Sequence, residues 1–248
     1  MAKNYKKLLV VILAYNEAGR VEKVVESVKK HLPECSTIVI NDGSSDRTKK
    51  TALDAGCNVI SHTFNLGYGA SLETGYLYAL QHGYDYVFQM DGDGQHLAEE
   101  AYKVITPVVN QEADIAIGSR YLEDSTYQTS FHRRLGQKVF SSIYKMITGN
   151  TIADPTSGFQ CLNRKALSFN LKTMFPNDFP DVDVLLMAYF AKLIIKEVAV
   201  VMRERSSGSS MHDGFKTINY VFKMLFSIFI VVLNSKKLSK YRSRENGN

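Results

Sequence analysis

Two aspartates, one residue apart and each followed by glycine, stand in the stretch FQMDGDGQHL at residues 88–97. An apolar run precedes them, so Asp91 and Asp93 are expected where a buried strand ends, on backbone that glycine allows to turn sharply. Mg²⁺ and Mn²⁺ prefer oxygen ligands, and Mg²⁺ often completes its shell with substrate phosphates. The stretch therefore predicts a Mg²⁺ or Mn²⁺ site that would neutralise a diphosphate leaving group.

The residues of this stretch also allow other interpretations. Gln95 could add a carbonyl oxygen to the metal shell, whereas His96 is equally well explained as a structural hydrogen-bonding residue. The stretch could be a simple turn, because aspartate and glycine dominate turns for conformational reasons. An EF-hand loop does not fit, since its late glutamate is absent.

Apolar, β-branched runs recur along the first half of the chain with amphipathic segments between them. They are LLVVILA at 8–14, STIVIN at 36–41, CNVIS at 57–61, YDYVFQM at 84–90 and ADIAIGS at 113–119. This alternation predicts an α/β fold with a doubly wound, mainly parallel sheet flanked by helices. Such sheets bind ligands at the carboxyl ends of their strands, where AYNE, NDGSSD, NLGYG, DGDGQH and GSRY all fall.

After about residue 120 the alternation loosens. We predict a basic helix at HRRLGQKVFSSIYKMITG, a loop at NTIADPTSGFQCLNRKAL, a helix at DVDVLLMAYFAKL and a strand at IKEVAVVMRER. Because no Pro-, Gly- or Ser-rich linker or internal repeat interrupts the chain, this half is expected to complete the same domain.

Composition narrows the class of protein. A chain of 248 residues, 45% of them hydrophobic, can form one large α/β domain. Three distant cysteines without CxxC spacing argue against a disulfide framework or a zinc site and favour a reducing, cytoplasmic setting. The apolar run at 8–14 is short, lacks a small-residue cleavage site and leads directly into a charged helical segment, so it is predicted to be the first strand rather than a signal peptide. The net charge of +5 is modest, and no nucleic-acid partner is expected.

Taken together, the segments at the predicted strand ends resemble the family 2 glycosyltransferases of GT-A fold. Within them they are most similar to polyprenyl-phosphate sugar transferases such as dolichyl-phosphate mannose synthase. The resemblance rests on LAYNE, VINDGSSDRT, NLGYGASLETGY, MDGDGQH, IGSRY, DPTSGFQ and RERSSGSS, in the family's order, over roughly residues 8–210. It implies a GT-A catalytic domain over residues 1–212.

The resemblance implies roles for residues on the donor side. Tyr15 and Glu17 match residues that hold the nucleoside, with Glu17 towards the ribose, and Asp42 matches the residue that reads the base. Asn65 and Gly69 match the loop that passes the nucleotide. From the residues alone, Glu17 could instead favour a helix amino terminus, and NDGSSD could be a capped turn.

On the acceptor side the resemblance concerns arginines. Arg120 and Arg205 match the phosphate-contacting positions, while the choice between Arg133 and Arg134 stays open. Arginine can grip phosphate with two hydrogen bonds, which suits a lipid phosphate acceptor and the donor diphosphate. Asp154 resembles a residue that lines the site, but it could equally cap the turn before the following proline.

The resemblance also assigns the metal ligands and the course of the reaction. The ligands fall on Asp91 and Asp93, with Gln95 as the third. Inversion is implied: the acceptor oxygen attacks the anomeric carbon opposite the leaving diphosphate, whose charge the metal stabilises. A phosphate acceptor is already anionic and needs little general-base help, whereas a sugar hydroxyl needs a carboxylate base, for which Asp181 and Asp183 are candidates.

The carboxyl-terminal segment FKTINYVFKMLFSIFIVVLNSKK has an uncharged run over residues 224–234, shorter than the roughly 20 residues that span a membrane. One broad apolar stripe is expected from Ile218, Val221, Phe222, Leu225, Ile228, Phe229 and Val232. Lysines and arginines follow, so we predict an amphipathic, membrane-associating helix with a basic tail over residues 213–248. The alternative is a helix packed on the core or in an oligomer interface.

These inferences predict an inverting, metal-dependent enzyme, bound peripherally at the cytoplasmic face of the cell membrane. It would move a hexose from a nucleotide diphosphate sugar to a polyprenyl phosphate such as undecaprenyl phosphate, for cell-envelope glycan synthesis. The segments NDG and GDGQ depart from the pattern of the mannose synthases that this chain resembles, which favours a UDP-sugar, such as UDP-glucose or UDP-N-acetylglucosamine, as donor. Two alternatives are a glycosyltransferase that extends a polysaccharide at a sugar hydroxyl and a regulator that binds nucleotide sugars without catalysis. A homo-oligomer is compatible with the sequence.

Overall fold

The computed structural model describes residues 7–122, 131–173, 175–176, 180–203 and 215–240, except the side chains of 131–135 and 215–219. The strands in the described residues are β1 Leu8–Ala14, β2 Ser36–Asn41, β3 Asn58–Ser61, β4 Tyr86–Asp91, β5 Ile115–Ser119, β6 Gln160–Asn163 and β7 Ile195–Ala199. The α-helices there are α1 Val21–His31, α2 Thr48–Asp54, α3 Tyr68–Gln81, α4 Ala101–Val109, α5 Phe131–Thr148, α6 Arg164–Lys172, α7 Val182–Phe190, α8 Phe215–Leu233 and α9 Ser235–Ser239.

The strands form one sheet in the order β3-β2-β1-β4-β6-β5-β7. Strand β6 runs antiparallel to β4 and β5, and the other pairs are parallel. The predicted doubly wound, mainly parallel sheet flanked by helices is therefore confirmed. The strands β1, β2, β4 and β5 all point the same way, so the loops that follow them meet at one edge of the sheet.

One element of the sheet was missed. The segment at 150–167, predicted to be a loop, contains β6 and the first residues of α6. In β6, Cys161 lies opposite Phe88 of β4 and Ala116 of β5. Strand β6 has the sequence QCLN, with polar residues at both ends and no apolar run. Its strand conformation depends on the two neighbours that it joins, which local pattern cannot reveal.

The core lies in two layers, one on each side of the sheet. Every residue of β1 is buried, as expected for a strand covered on both faces. Leu9 and Val11 contribute to the layer that contains α3, α6 and α7, whereas Val10 and Ile12 contribute to the layer that contains α1 and α4. The central strand is therefore held from both sides, which places its carboxyl end firmly in the site.

Helix α8 has two apolar faces rather than one. Its inner face joins the core through Tyr220, Met224, Ile228 and Val231. Its outer face carries Phe222, Phe226, Phe229 and Leu233, with 72, 58, 58 and 67% of their surface exposed. The predicted single stripe is thus divided between these faces, and packing on the core accounts for only one of them. None of the described helices is both long and apolar enough to cross a membrane.

The predicted boundary at residue 212 falls between residues 203 and 215, outside the described part of the chain. The division of the chain there stays a prediction.

Candidate active site

The two aspartates of the DGDG stretch lie at the carboxyl edge of the sheet. Asp91 is the last residue of β4, and the N–H of Gly92 donates to the carbonyl oxygen of Leu13 in β1 at 2.7 Å. A Cβ at Gly92 would lie 3.0 Å from that oxygen, which leaves little room for a side chain. Gly94 has a φ of +80°, a conformation that glycine adopts without strain. The glycines thus allow Asp93 to follow Asp91 in a tight turn against β1.

Both carboxylates are held by neighbours. The hydroxyl of Tyr68 donates to Asp91 Oδ1 at 3.1 Å, and the N–H of Gln95 donates to Asp93 Oδ1 at 3.0 Å. The side chain of Asp91 keeps 32% of its surface exposed. Burial and the charge of Asp91 raise the pKa of Tyr68 well above its ordinary value, so its hydroxyl acts as a donor.

His96 has a structural position beneath this turn. Its Nδ1 accepts the N–H of Asp91 at 3.0 Å, and its ring lies 4.9 Å from that of Phe159. Burial lowers the pKa of His96 to about 4, so the ring is neutral near pH 7. Residues 95–96 also pair with residues 202–203. His96 forms an isolated β-bridge with Met202, and the carbonyl of Gln95 accepts the N–H of Arg203. The structural interpretation of His96 is thus the one that fits.

The loop after β1 is tied to the loop after β2. Asn16 has a φ of +55°, and its N–H donates to Ser44 Oγ at 2.9 Å. The N–H of Glu17 donates to Thr48 Oγ1 at 2.7 Å, and Glu17 is buried. Tyr15, by contrast, has 49% of its surface exposed. The bond to Thr48 holds Glu17, one of the two predicted nucleoside-binding residues, against the amino terminus of α2.

Arg20 links the nucleoside side to the metal loop. Its Nε donates to Glu17 Oε2 at 2.5 Å. That bond is the main reason why the pKa of Arg20 is raised, and the charges of Asp93 and Asp46 add to it. No local sequence pattern marks Arg20, because only the folded chain brings it near Asp93.

Asp42 holds the loop between β3 and α3. Its carboxylate accepts the N–H groups of Leu66 at 2.8 Å and Gly67 at 2.9 Å, and it lies 2.7 Å from His62 Nδ1. Asp42 is buried, with 5% relative exposure. The predicted base-reading residue therefore also organises the loop beside the predicted nucleotide path.

The two other donor-side residues lie in and after this loop. The side-chain amide of Asn65 donates to the carbonyl oxygen of Asp42 at 3.4 Å, and Gly69 is buried in the first turn of α3. The structure thus brings Asn65 to Asp42 and places Gly69 beside Tyr68, whose hydroxyl reaches Asp91.

Arg120 follows β5 and forms a two-point ion pair with Asp154. Its Nε and Nη2 donate to the two carboxylate oxygens at 2.7 and 2.8 Å, and its backbone N–H adds a third bond at 3.1 Å. Asp154 is completely buried, and its N–H donates to Glu197 Oε1 at 2.6 Å. Burial raises the pKa of Glu197. The guanidinium of Arg120 is therefore fixed in orientation by a buried carboxylate.

Asp181 and Asp183 lie at the start of α7 and face α8. The hydroxyl of Tyr220 donates to Asp181 Oδ2 at 2.6 Å, and that of Ser227 donates to Asp183 Oδ2. Asp183 Oδ1 also accepts the N–H of Val184 at 2.9 Å and that of Asp181 at 3.1 Å. Burial raises the pKa of both carboxyls, that of Asp181 to about 7. The pair fastens α8 to α7.

Three predicted arginines are not placed by the structure. Arg205 and the side chains of Arg133 and Arg134 lie outside the described residues.

The short loop before β6 joins the two sides of the site. Asp154 at one end binds Arg120, and Gly158 at the other lies against Tyr68 and Asp91, where a Cβ would be 2.3 Å from the Tyr68 hydroxyl. Tyr68 lies in the NLGYG segment, but no local pattern marks it as a site residue, because its contact with Asp91 joins residues 23 positions apart. Among the described residues no group of three or more His, Cys, Asp or Glu side chains is arranged to hold a metal ion.

The family model described as glycosyl transferase family 2 matches residues 9–169. This chain belongs to glycosyl transferase family 2. The matched region contains the loops after β1, β2, β4 and β5. The match confirms the predicted family and the expectation of a glycosyltransferase.

Two relatives of this chain have names that refer to polyprenyl-phosphate sugars or acceptors. It is 28% identical over 228 residues to the polyprenol monophosphomannose synthase of Mycolicibacterium smegmatis, covering 88% of this chain and 86% of that protein. It is 26% identical over 234 residues to the UDP-N-acetylglucosamine–dolichyl-phosphate N-acetylglucosaminyltransferase of Methanococcus voltae, covering 85 and 93%. The resemblance to polyprenyl-phosphate sugar transferases is thus confirmed.

The fold has a close counterpart among solved structures. The glucosyl-3-phosphoglycerate synthase of Mycobacterium tuberculosis, in complex with Mn²⁺ and UDP-glucose, superposes with a TM-score of 0.70 at 19% identity. The match covers 89% of this chain and 78% of that one, which supports the predicted GT-A fold.

Proposed function

We propose that this glycosyltransferase transfers a hexose from a nucleotide diphosphate sugar, with a UDP-sugar favoured, to a polyprenyl phosphate, with inversion and with Mg²⁺ or Mn²⁺. The observation that carries the proposal is the convergence of loops at one edge of the sheet. The loops after β1, β2 and β4 bring the Glu17, Asp42 and Asp91 segments together, and Arg120 follows β5 at the same edge.

On the donor side, the carboxylates of Asp91 and Asp93 are suitable metal ligands, with Gln95 as the third. Both carboxylates stand in a turn that glycine brings against β1, and a Mg²⁺ site often has only one or two protein carboxylates besides substrate phosphates. The ion would supply charge stabilisation for the departing diphosphate. Tyr15 and Glu17 would hold the nucleoside, Asp42 would read the base, and Asn65 and Gly69 would line its path.

On the acceptor side, Arg120 would bind the lipid phosphate, together with Arg205. The bond of Arg120 to the buried Asp154 fixes the plane of its guanidinium before any ligand arrives, which reduces the entropy lost on binding. A phosphate oxygen is already anionic near pH 7, so positioning and charge stabilisation are sufficient for its attack on the anomeric carbon.

A second candidate is transfer to a sugar hydroxyl. One observation favours it: the pKa of Asp181 is raised to about 7, which is suitable for a general base. Against it stand the bonds that Asp181 and Asp183 make to Tyr220 and Ser227 of α8, which explain the two carboxylates by a structural role.

The acceptor suggests that the enzyme works at a membrane, and α8 supplies a suitable surface. Its outer face exposes four large apolar side chains, and Lys236 and Lys237 follow on α9. Residues 215–240 contain no aspartate or glutamate, so the surface would be attracted to anionic lipid headgroups. We place the protein peripherally at the cytoplasmic face, where it would serve cell-envelope glycan synthesis.

The test is mass-spectrometric detection of a glycosyl phosphopolyprenol after incubation with undecaprenyl phosphate, Mg²⁺ or Mn²⁺, and a panel of UDP- and GDP-sugars. A product that forms with one donor and disappears with Asp93→Ala would support donor, acceptor and metal site together. Metal-dependent binding of a nucleotide sugar without lipid product, combined with transfer to a glycan acceptor, would overturn the lipid-phosphate proposal.

A further inference from the structure

Tyr68 stands at a junction of three elements around Asp91. It is the first residue of α3, Asp91 is the last residue of β4, and Gly158 belongs to the loop before β6. The Tyr68 hydroxyl donates to Asp91 Oδ1 at 3.1 Å. No role was assigned to this tyrosine by the sequence pattern.

Gly158 provides the space for this contact. A Cβ at position 158 would lie 2.3 Å from the Tyr68 hydroxyl oxygen and 3.5 Å from Asp91 Oδ1. A distance of 2.3 Å is far inside van der Waals contact, so any side chain at this position would displace the hydroxyl, the carboxylate or the loop. The backbone of residue 158 has therefore come as close to the Tyr68–Asp91 pair as a glycine permits.

We propose that Tyr68 is a positioning residue for the metal ion, holding one oxygen of Asp91 so that the other is presented to the ion. The proposal rests on the proposed function, because it assumes that Asp91 is a ligand. Hydrogen bonds from neighbouring residues commonly orient ligating carboxylates, and losing such a partner typically costs about 10- to 100-fold in metal affinity or activity.

The geometry of Asp91 agrees with such a role. Its backbone N–H is fixed by His96 and its Oδ1 by Tyr68, so both its main chain and its side chain are restrained. His96 Nε2 is 3.9 Å from Oδ2, too far for a hydrogen bond. Tyr68 therefore makes the closer side-chain contact of these two neighbours.

The direct test is the affinity of the full-length protein for Mn²⁺, measured by electron paramagnetic resonance of free Mn²⁺ in the presence of saturating UDP. Tyr68→Phe removes only the hydroxyl and is expected to weaken Mn²⁺ binding about 10-fold. UDP binding in EDTA, measured by calorimetry, should stay unchanged. This measurement is a control for folding, because a general disturbance of the fold would weaken the binding of both Mn²⁺ and UDP. Tyr78→Phe is the matched control: Tyr78 is on the same helix, stacked on His82 at 3.9 Å, and its variant should bind Mn²⁺ like the wild type.

A second variant tests the role of the space at position 158. Gly158→Ala should also weaken Mn²⁺ binding, and by less in the Tyr68→Phe background, because the phenylalanine lacks the atom that the new Cβ would meet. This non-additivity is expected only when the two residues act through the same contact. Equal effects of Gly158→Ala in both backgrounds would contradict the proposal.

The failure of this inference can be told from failure of the proposed function. If the wild type binds Mn²⁺, Asp93→Ala abolishes that binding, and Tyr68→Phe binds as tightly as the wild type, the metal site stands and the role of Tyr68 is wrong. If the wild type binds no Mn²⁺ with UDP present, both the metal site and the role of Tyr68 are overturned.

Discussion

Two pairs of aspartates in this chain have the pattern Asp-X-Asp, and their surroundings differ sharply. Asp91 is the last residue of β4 and Asp93 follows the strand, each with a glycine after it, and the Asp91 side chain keeps 32% of its surface exposed. Asp181 and Asp183 border the start of α7, and Asp183 has 1% relative exposure. The first pair is open to a ligand at the sheet edge, whereas hydroxyl groups of α8 bind the second. The same spacing of carboxylates thus supports different roles, because the surroundings decide what each carboxylate can bind.

The largest effect is expected at the first pair. Asp93→Ala should reduce glycosyl transfer about 1,000-fold, since it removes a ligand of the ion that stabilises the leaving diphosphate. Its melting temperature should stay close to that of the wild type, because the side chain lies in a surface turn. Steady-state kinetics and thermal unfolding test the two parts. Near-normal kcat in this variant would mean that the first pair does not bind a required metal.

At the second pair, a substitution should change stability more than activity. Asp183→Ala removes the acceptor for the Ser227 hydroxyl and for two N–H groups, which should lower the free energy of unfolding by about 2 kcal/mol. Transfer to polyprenyl phosphate should change only several-fold at a temperature where the variant is folded. Denaturant unfolding gives the first quantity and a lipid-product assay the second. Ser227→Ala is the control, since it removes the same contact between helices but leaves the carboxylate. Loss of lipid product in Asp183→Ala but not in Ser227→Ala would show that the carboxylate itself takes part in transfer and would contradict its purely structural role.

The last effect concerns protonation of Asp181 in the second pair. The pKa of Asp181 is raised by burial to about 7, above the ordinary value of about 3.9 in the unfolded chain, so the folded state binds the proton more tightly. This contribution to stability is complete below about pH 4 and is lost as the pH rises through about 7. This contribution is measured by comparing the unfolding free energies of the wild type and Asp181→Asn across this pH range. The difference in stability between the two proteins should vary with pH in that window, and a constant difference would show that Asp181 has an ordinary pKa.

Much of the donor side could be predicted because its signals are local. Strand β1 is apolar over its whole length, β2 and β4 are largely apolar, and polar residues end or follow each of the three strands. The position of the site therefore followed from chain direction alone. The second half gave weaker signals. Strand β6 has only two buried residues, Cys161 and Leu162, and its antiparallel direction depends on β4 and β5.

The two faces of α8 show a different limit of prediction. A helical pattern reports that apolar residues recur, but not how many of them the rest of the domain covers. Here α7 and its neighbours cover Met224 and Ile228 and leave Phe222 and Phe229 exposed. That division could not be read from the pattern, because it depends on the orientation of α8 against α7.

The amino-acid sequence by itself determined the family, the mainly parallel sheet and the loops in which the candidate ligands lie, because apolar periodicity and short motifs are properties of neighbouring residues. Only the tertiary structure decided which polar groups meet. The Tyr68–Asp91 contact, the Arg120–Asp154 ion pair and the bonds from α8 to α7 join residues 23, 34, 39 and 44 positions apart. Such contacts form only when the strands and helices pack, and their partners leave no periodic signal along the chain.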